Sequence, residues 1–498
     1  MALFGLVVLF ALILATAASP PNKKAIIDDC LAAVNVPYNT KDSSQWKADG
    51  APFNVRIPFV PASIAVPLST EHIQAAIKCG REHGVKVTPK CGGHSYANFG
   101  FGGEDGHLML ELDHMYNVTL DNATGIATVQ AGSRLGHVAS ELYKQGGKAI
   151  SHGTCPGVGV AGHVLHGGYG MSSHTKGLAL DWLVGAKVVL ANGTVLTVSE
   201  TENAELFWAL KGAGSSFGVV SEFYFKTFDA PKQATNFLAM LQWDAPKSIS
   251  GFKILQDWVE NDMPRDLNMR LFITPRFTNL EGMFYGDKAG LQAVLDPLLL
   301  KLGGRLTTSQ TMDWFGNLQH FGNGLALDQK DTYKKQENFH SSSLYTGLLS
   351  DAQVESFVDY WYSIGKPLKR DWYVQVDFHG GRNSANSAIA EVASTSSSYA
   401  HRDALLLYQF YDRVDVSATY PKDGLSFLYD FVSNTTLAAE EREHGMYFNY
   451  PDPSLSQDAA QRHYWGDNIG RLQHIKAEVD PEELFYFPQS VRPASLVL

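Results

Sequence analysis

The 498-residue chain is predicted to be an α+β protein of two domains. Three observations predict it. Between residues 53 and 103 a strand, helix, strand succession runs into a glycine-rich loop, KCGGHSYANFGFGG over 90–103, and a second glycine-rich stretch follows at 151–170. Near residue 230 the texture changes. Ala230-Pro231 ends the glycine-rich half, and 235–445 alternates strands with helices, as expected of a second domain on an antiparallel sheet. From Ser454 onward the pattern is helical.

The elements follow in order. Residues 25–35 read as a short amphipathic helix, and 53–67 as extended chain with prolines at strand edges. Ser69 begins a Ser-Thr-Glu start and helical periodicity to 83, so it is the expected N-cap. A short strand at 85–89 feeds the first glycine loop. Strands are expected at 108–115 and 126–131, and a helix at 136–145. Strands 184–190 and 195–199 are joined by Ala191-Asn192-Gly193-Thr194, whose Asn-Gly signals a hairpin. A capped helix at 201–210 enters the glycine turn 211–218 and a strand at 219–228. In the second half a helix is expected at 248–260, with strands at 269–273, 372–378 and 405–411. The helical tail ends in a turn with a short helix at 480–485.

Composition narrows the function. With 45% hydrophobic and 18% charged residues the chain can bury a large core. A net charge of -11 argues against nucleic acid and against an anionic membrane surface, and favours a neutral or cationic substrate. Residues 1–18 form one apolar run ending in small residues, which reads as a secretory signal peptide; a membrane anchor is the alternative, since the run is near spanning length. Sequons at Asn117, Asn122, Asn192 and Asn434 agree with secretion. Four cysteines are present, and an oxidising compartment favours pairing. Cys30 and Cys79, in two helical segments, are the expected disulfide; a Cys91–Cys155 bond is the competing pairing.

Glycines at the density of 90–103 and 151–170 let the backbone approach a ligand, and their N–H groups suit an anion such as a pyrophosphate. Gly157-Val-Gly-Val-Ala-Gly162 matches the expression of a dinucleotide loop, with Asp181 about 20 residues on, but no buried strand precedes it. His152, His163, His166 and His174 lack the carboxylate and helical context of a zinc protease and read as hydrogen-bonding residues. On residue type alone, His94 and Cys155 read as a buried imidazole and a buried thiol. Over 373–377 the period of two puts Tyr373, Gln375 and Asp377 on one strand face and Trp372, Val374 and Val376 on the other. Such a polar face needs a partner or a ligand. With Tyr96 and Gln409 it suits neutral carbohydrate, whose C–H faces stack on rings and whose hydroxyls bond amides.

Gly92-Gly-His-Ser95, followed by Gly153-Thr-Cys-Pro-Gly-Val-Gly159, resembles the berberine-bridge-enzyme-like flavin oxidases of the vanillyl-alcohol-oxidase superfamily. Further likenesses are FGGEDGHLMLELDHM, the run from Asp181-Trp182 to SETEN, LFWALKGAGSSFG and a C-terminal YW..N..RL..IK...DP. The greatest likeness is to the fungal oxidases of gluco-, chito- and xylooligosaccharides. The resemblance spans nearly the whole mature chain. It implies an FAD-binding α+β domain made from residues 19–229 and 446–498, with a substrate domain, 230–445, inserted between them on a large antiparallel sheet flanked by helices. It implies FAD bonded to His94 through its 8α-methyl and to Cys155 through C6, with Gly92, Gly93, Ser95, Gly153, Thr154, Gly159, Gly162 and Val220 around it. A Cys91–Cys155 disulfide would exclude the second bond. It makes Tyr450 the catalytic base and Asp377 its assistant, and puts Tyr96, Gln375, Gln409 and Tyr447 against the substrate. The activity implied is oxidation of an oligosaccharide's reducing-end hydroxyl to the lactone, with dioxygen reduced to hydrogen peroxide, by a secreted monomer. Oxidation of an alkaloid or other secondary-metabolite alcohol, by an oxidase or a dehydrogenase, and a silent sugar-binding relative are the alternatives.

Overall fold

Residues 23–329, 335–383, 385–440 and 443–495 are described by the computed structural model. The leader expected over 1–18 lies outside them. Among the described residues no helix is long and apolar enough to cross a membrane.

The N-terminal half holds two sheets. In the first, strands Tyr38–Asn39, Ser63–Ala65, Leu108–Glu111 and Val87–Lys90 lie in that order, the last three parallel. Helix Thr70–Glu82 connects two of them, capped as expected by Ser69, whose hydroxyl accepts the His72 N–H at 3.3 Å. Cys79 on this helix is disulfide-bonded to Cys30 on helix Lys23–Ala33. Cys91 and Cys155 form no disulfide, so the competing pairing is not made.

The second sheet is antiparallel and orders Val118–Asp121, Ile126–Gln130, Val219–Lys226, Leu183–Val189 and Val195–Ser199. Its expected hairpin forms at Gly193, where φ is +82°. The helix expected from 201 is Ala204–Ala213; Asn203, in the left-handed region, precedes it and no side chain caps it.

The middle of the chain builds a seven-stranded antiparallel sheet, ordered Gly304–Met312, Ala234–Leu241, Thr278–Phe284, Leu267–Ile273, Asp371–Phe378, Leu406–Val414 and Asn338–Thr346. Trp372, Val374 and Val376 are buried on one face of it, in an apolar core shared with helices Ala245–Asn261, Lys288–Leu302, Asp351–Tyr360 and Gly424–Thr435. The other face carries Tyr373, Gln375 and Asp377.

The C-terminal helices Gln457–Trp465 and Ile469–Val479 return to the first half. The Trp465 indole donates to Gly212 O at 3.0 Å, and the Val491 N–H to Ser216 Oγ at 3.1 Å. Their apolar residues belong to the same core as the first two hundred residues. The short helix expected at 480–485 is not formed. The Asp480 carboxylate accepts the N–H groups of Leu484 and Phe485 at 2.7 and 2.9 Å and holds that segment as a turn.

Candidate active site

The two glycine-rich stretches meet backbone to backbone. A Cβ on Gly92 would lie 2.3 Å from Gly159 N, and one on Gly159 would lie 2.4 Å from both Cys91 Sγ and Gly92 N. Only glycine permits this approach. The fully buried Arg134 ties the junction, donating to Cys91 O at 2.6 Å and Gly132 O at 2.9 Å.

Next to this junction opens a cavity of about 470 Å³. His94, Cys155, Gly92, Gly93, Ser95, Gly153, Thr154, Gly159, Gly162 and Val220 all line it, so the residues expected around a cofactor are brought together. The His94 ring lies 4.7 Å from Phe53. Burial, aided by the Arg134 charge, lowers its pKa to about 3, so the imidazole is neutral. Burial pushes the Cys155 thiol up, against backbone N–H bonds from Gly157 and Val158.

The wall also presents bare polar capacity. Burial lowers the His166 pKa to about 4, so the ring is neutral; its Nδ1 donates to Gly162 O at 2.8 Å. Among the described residues its buried Nε2 has no hydrogen-bond partner, and it is an acceptor for a ligand hydroxyl or N–H. Gly162 is exposed at the cavity wall, and a Cβ there would meet nothing within 4 Å. A large polar ligand in this cavity therefore has both room and a waiting acceptor.

The polar face of the seven-stranded sheet and the turn 446–450 complete the lining, with Tyr96, Gln375, Gln409, Asp377, Tyr447 and Tyr450. Gln375 and Gln409 are direct cross-strand partners. Gln409 Nε2 donates to Tyr96 Oη at 2.8 Å and to Tyr373 Oη at 3.1 Å, leaving its carbonyl for a ligand. Gln375 Nε2 donates to Asp377 Oδ2 at 2.8 Å. Asp377 is 1% exposed, and burial raises its pKa to about 6 despite the Arg270 charge. Tyr450 stacks on Tyr96 at 5.9 Å. Its phenol is pushed well above its usual pKa, by burial first and by Asp377 second.

Tyr447 stands differently. Its hydroxyl oxygen accepts N–H bonds from Gly168 at 2.9 Å, Tyr169 at 3.0 Å and the Asn449 amide at 3.0 Å. Its polar end is turned into the protein. Tyr411 lines the cavity and donates to Glu337 at 2.6 Å, whereas Trp372 is core. Of the four histidines, His163 and His166 line the cavity, and the Gly153 N–H donates to His163 Nε2 at 2.9 Å. The sequence reading passed over Arg270. It sits on strand Leu267–Ile273, lines the cavity and is the direct cross-strand partner of Asp377. Its signal was alternation, since Asn268, Arg270 and Phe272 fall on one face.

Comparison with known proteins places these motifs. Residues 61–199 match a family model described as FAD binding domain, and 446–492 match one described as berberine and berberine like. The chain is 47% identical to the xylooligosaccharide oxidase of Thermothelomyces thermophilus, over 100% of both chains. It is 43% identical to the chitooligosaccharide oxidase of Gibberella zeae, over 98% of each. A solved structure of the glucooligosaccharide oxidase from Acremonium strictum, described as having 6-S-cysteinyl, 8α-N1-histidyl FAD, is 46% identical and superposes with a TM-score of 0.91 over 94% of this chain and 99% of that one. The cavity, with its glycine junction, neutral His94, Cys155 and bare His166 acceptor, fits an FAD.

Proposed function

The chain belongs to the berberine-bridge-enzyme-like FAD-linked oxidases, and from that membership we propose that it oxidises the reducing-end anomeric hydroxyl of neutral oligosaccharides to the lactone, as a secreted monomeric flavoprotein. The carrying observation is that one cavity joins His94 and Cys155 to the wall of Tyr96, Gln375, Gln409, Asp377 and Tyr450.

Bound FAD supplies the hydride acceptor and the route of electrons to dioxygen, which leaves as hydrogen peroxide. His94 and Cys155 hold it covalently, the relation described for the Acremonium enzyme. The reducing-end sugar lies against the Tyr96–Tyr450 ring pair and the two glutamine amides, which orient it by stacking and by hydrogen bonds. Tyr450 Oη takes the proton of the anomeric hydroxyl as the anomeric carbon gives up its hydride. Because Tyr450 is hard to ionise, it does not wait as a phenolate; anionic Asp377 makes the phenol a net acceptor by taking up the proton or its hydrogen bond. The lactone released hydrolyses to the aldonic acid.

The FAD-holding domain is read as residues 19–229 with 446–498, and the substrate domain as 230–445, a division supported by two apolar cores, one built from 237–431 and the other from 27–225 and 446–491 with Tyr345, Ile389, Tyr399 and Leu407 packed onto it. Secretion is supported by the apolar leader and by the disulfide. Asn117, Asn122 and Asn192 are exposed in turns or at strand ends and are read as the glycan sites; Asn434 is half-buried in helix Gly424–Thr435 and is the poorer acceptor.

The test is direct. The purified protein is precipitated in acid and the pellet inspected for bound flavin. Native enzyme is then given cellobiose, xylobiose and N,N′-diacetylchitobiose while peroxide is recorded. A yellow pellet and peroxide from a sugar are expected. A colourless pellet removes the covalent roles of His94 and Cys155; a yellow pellet with no peroxide from any sugar removes the sugar oxidase.

A further inference from the structure

Three charged side chains stand in one row across the seven-stranded sheet. Arg270 pairs across its strand with Glu281 on one side and with Asp377 on the other. Direct cross-strand partners share a face and lie about 5 Å apart, so Arg270 is within reach of both carboxylates. It chooses one. Its Nε donates to Glu281 Oε1 at 2.6 Å, and its Nη2 lies 2.5 Å from the same oxygen in an ion pair. Asp377, the buried member of the row, takes the neutral Gln375 amide instead. An arginine fork is the strongest partner a buried carboxylate can have, so this arrangement needs a reason.

We propose that Glu281 is a positioning residue of the oxidation: it holds the Arg270 guanidinium away from Asp377, so that Asp377 keeps its lone pairs and its proton affinity for Tyr450. This rests on the sugar-oxidase reading of the site. A carboxylate locked to arginine is a poor acceptor, whereas one with a cation nearby but turned aside stays anionic at neutral pH and still accepts. The groups around Asp377 allow this. Arg270 faces it from the adjacent strand and Glu281 from the strand beyond that, Leu407 from the strand on its other side, and Gln375 from its own strand. Tyr450 and Tyr447 act on it from the turn, and Tyr169 from the second glycine stretch. Burial sets its proton affinity first; Arg270 is the cation and Glu281 the further carboxylate that adjust it.

The experiment compares wild type with E281Q, E281D and D377N. Two readouts are taken: the pH profile of kcat/KM on a neutral disaccharide, and the pH titration of the carboxyl infrared band that D377N removes. In E281Q the released guanidinium turns to Asp377, and the acid limb and the infrared titration both move down by about one pH unit, the shift a new opposite charge brings. The plateau of kcat falls at the same time. E281D, which keeps the ion pair, restores both. The proposal is overturned if folded, flavin-bearing E281Q titrates where wild type does, or if E281Q and E281D lose activity equally without moving the limb. If wild type oxidises no sugar, the oxidase reading fails, but the infrared titration still decides whether Glu281 governs Asp377.

Discussion

Tyr450 and Asp377 are each shifted in the direction that would disable them alone. Burial and a nearby anion make the phenol a weaker acid, and burial makes the carboxyl a weaker one too, with a pKa of about 6. Together they are usable, because a carboxylate with a raised pKa is a better proton acceptor. The sign follows. Asp377 must be ionised to assist, and its pKa is raised from the usual carboxylate value. Activity is therefore present above about pH 6 and lost as pH falls through that region. The kcat/KM profile of the wild type should show this acid limb, and D377N should give a low rate without it; a limb that survives D377N would belong to another group. Tyr450→Phe should lower kcat by about 100-fold or more, the loss of a general base, with the flavin spectrum unchanged. Near-normal turnover would move the role to another cavity tyrosine. At the same scale, H94A and C155A singly should each keep yellow colour in an acid pellet through the remaining bond, and the double variant should lose it.

The elements that place these residues rest on local and non-local contacts, and the two differ in how far sequence reveals them. The glycine stretches were legible, because close backbone approach leaves a compositional mark. Their contact is also a target: the Cβ of Gly159→Ala would strike Cys91 Sγ and Gly92 N, both held in the junction. The variant should have a lower flavin-to-protein absorbance ratio and a lower unfolding midpoint, while Gly162→Ala, open to the cavity, should keep its midpoint. The two faces of strand Asp371–Phe378 were legible from period two alone. Which strands flank it was not, because register is a long-range property: Arg270 lies far back in the chain, and its role emerges only when its strand pairs with that of Asp377. Likewise Tyr447 and Tyr450 look equivalent in Tyr-Phe-Asn-Tyr, and only the fold turns the first hydroxyl into the Gly168–Tyr169 backbone. Short signals also misled where a side chain competes for backbone donors, as Asp480 does in place of a final helix.

At the scale of the molecule, the four cysteines have fates that the fold and the cofactor divide between them. Cys30 and Cys79 are bonded, joining helix Lys23–Ala33 to helix Thr70–Glu82 across a sequence separation of 49. Closing a loop of that size in the unfolded chain is worth up to about 4 kcal/mol in the chain-entropy picture. Neither cysteine lines the cavity, so C30A/C79A should lower the urea midpoint and leave turnover per bound flavin unchanged. Cys155 lines the cavity and is spent on the flavin in the proposed state. Cys91 is left as a buried thiol, packed on Gly159 with its Sγ 3.5 Å from Ser133 O. The holoprotein, denatured without reductant and titrated with a thiol reagent, should therefore yield one thiol per chain. Two thiols would mean that Cys155 is not attached to the flavin. None would mean that Cys91 has paired, and with Cys155 as the remaining partner the cysteinyl bond would be excluded.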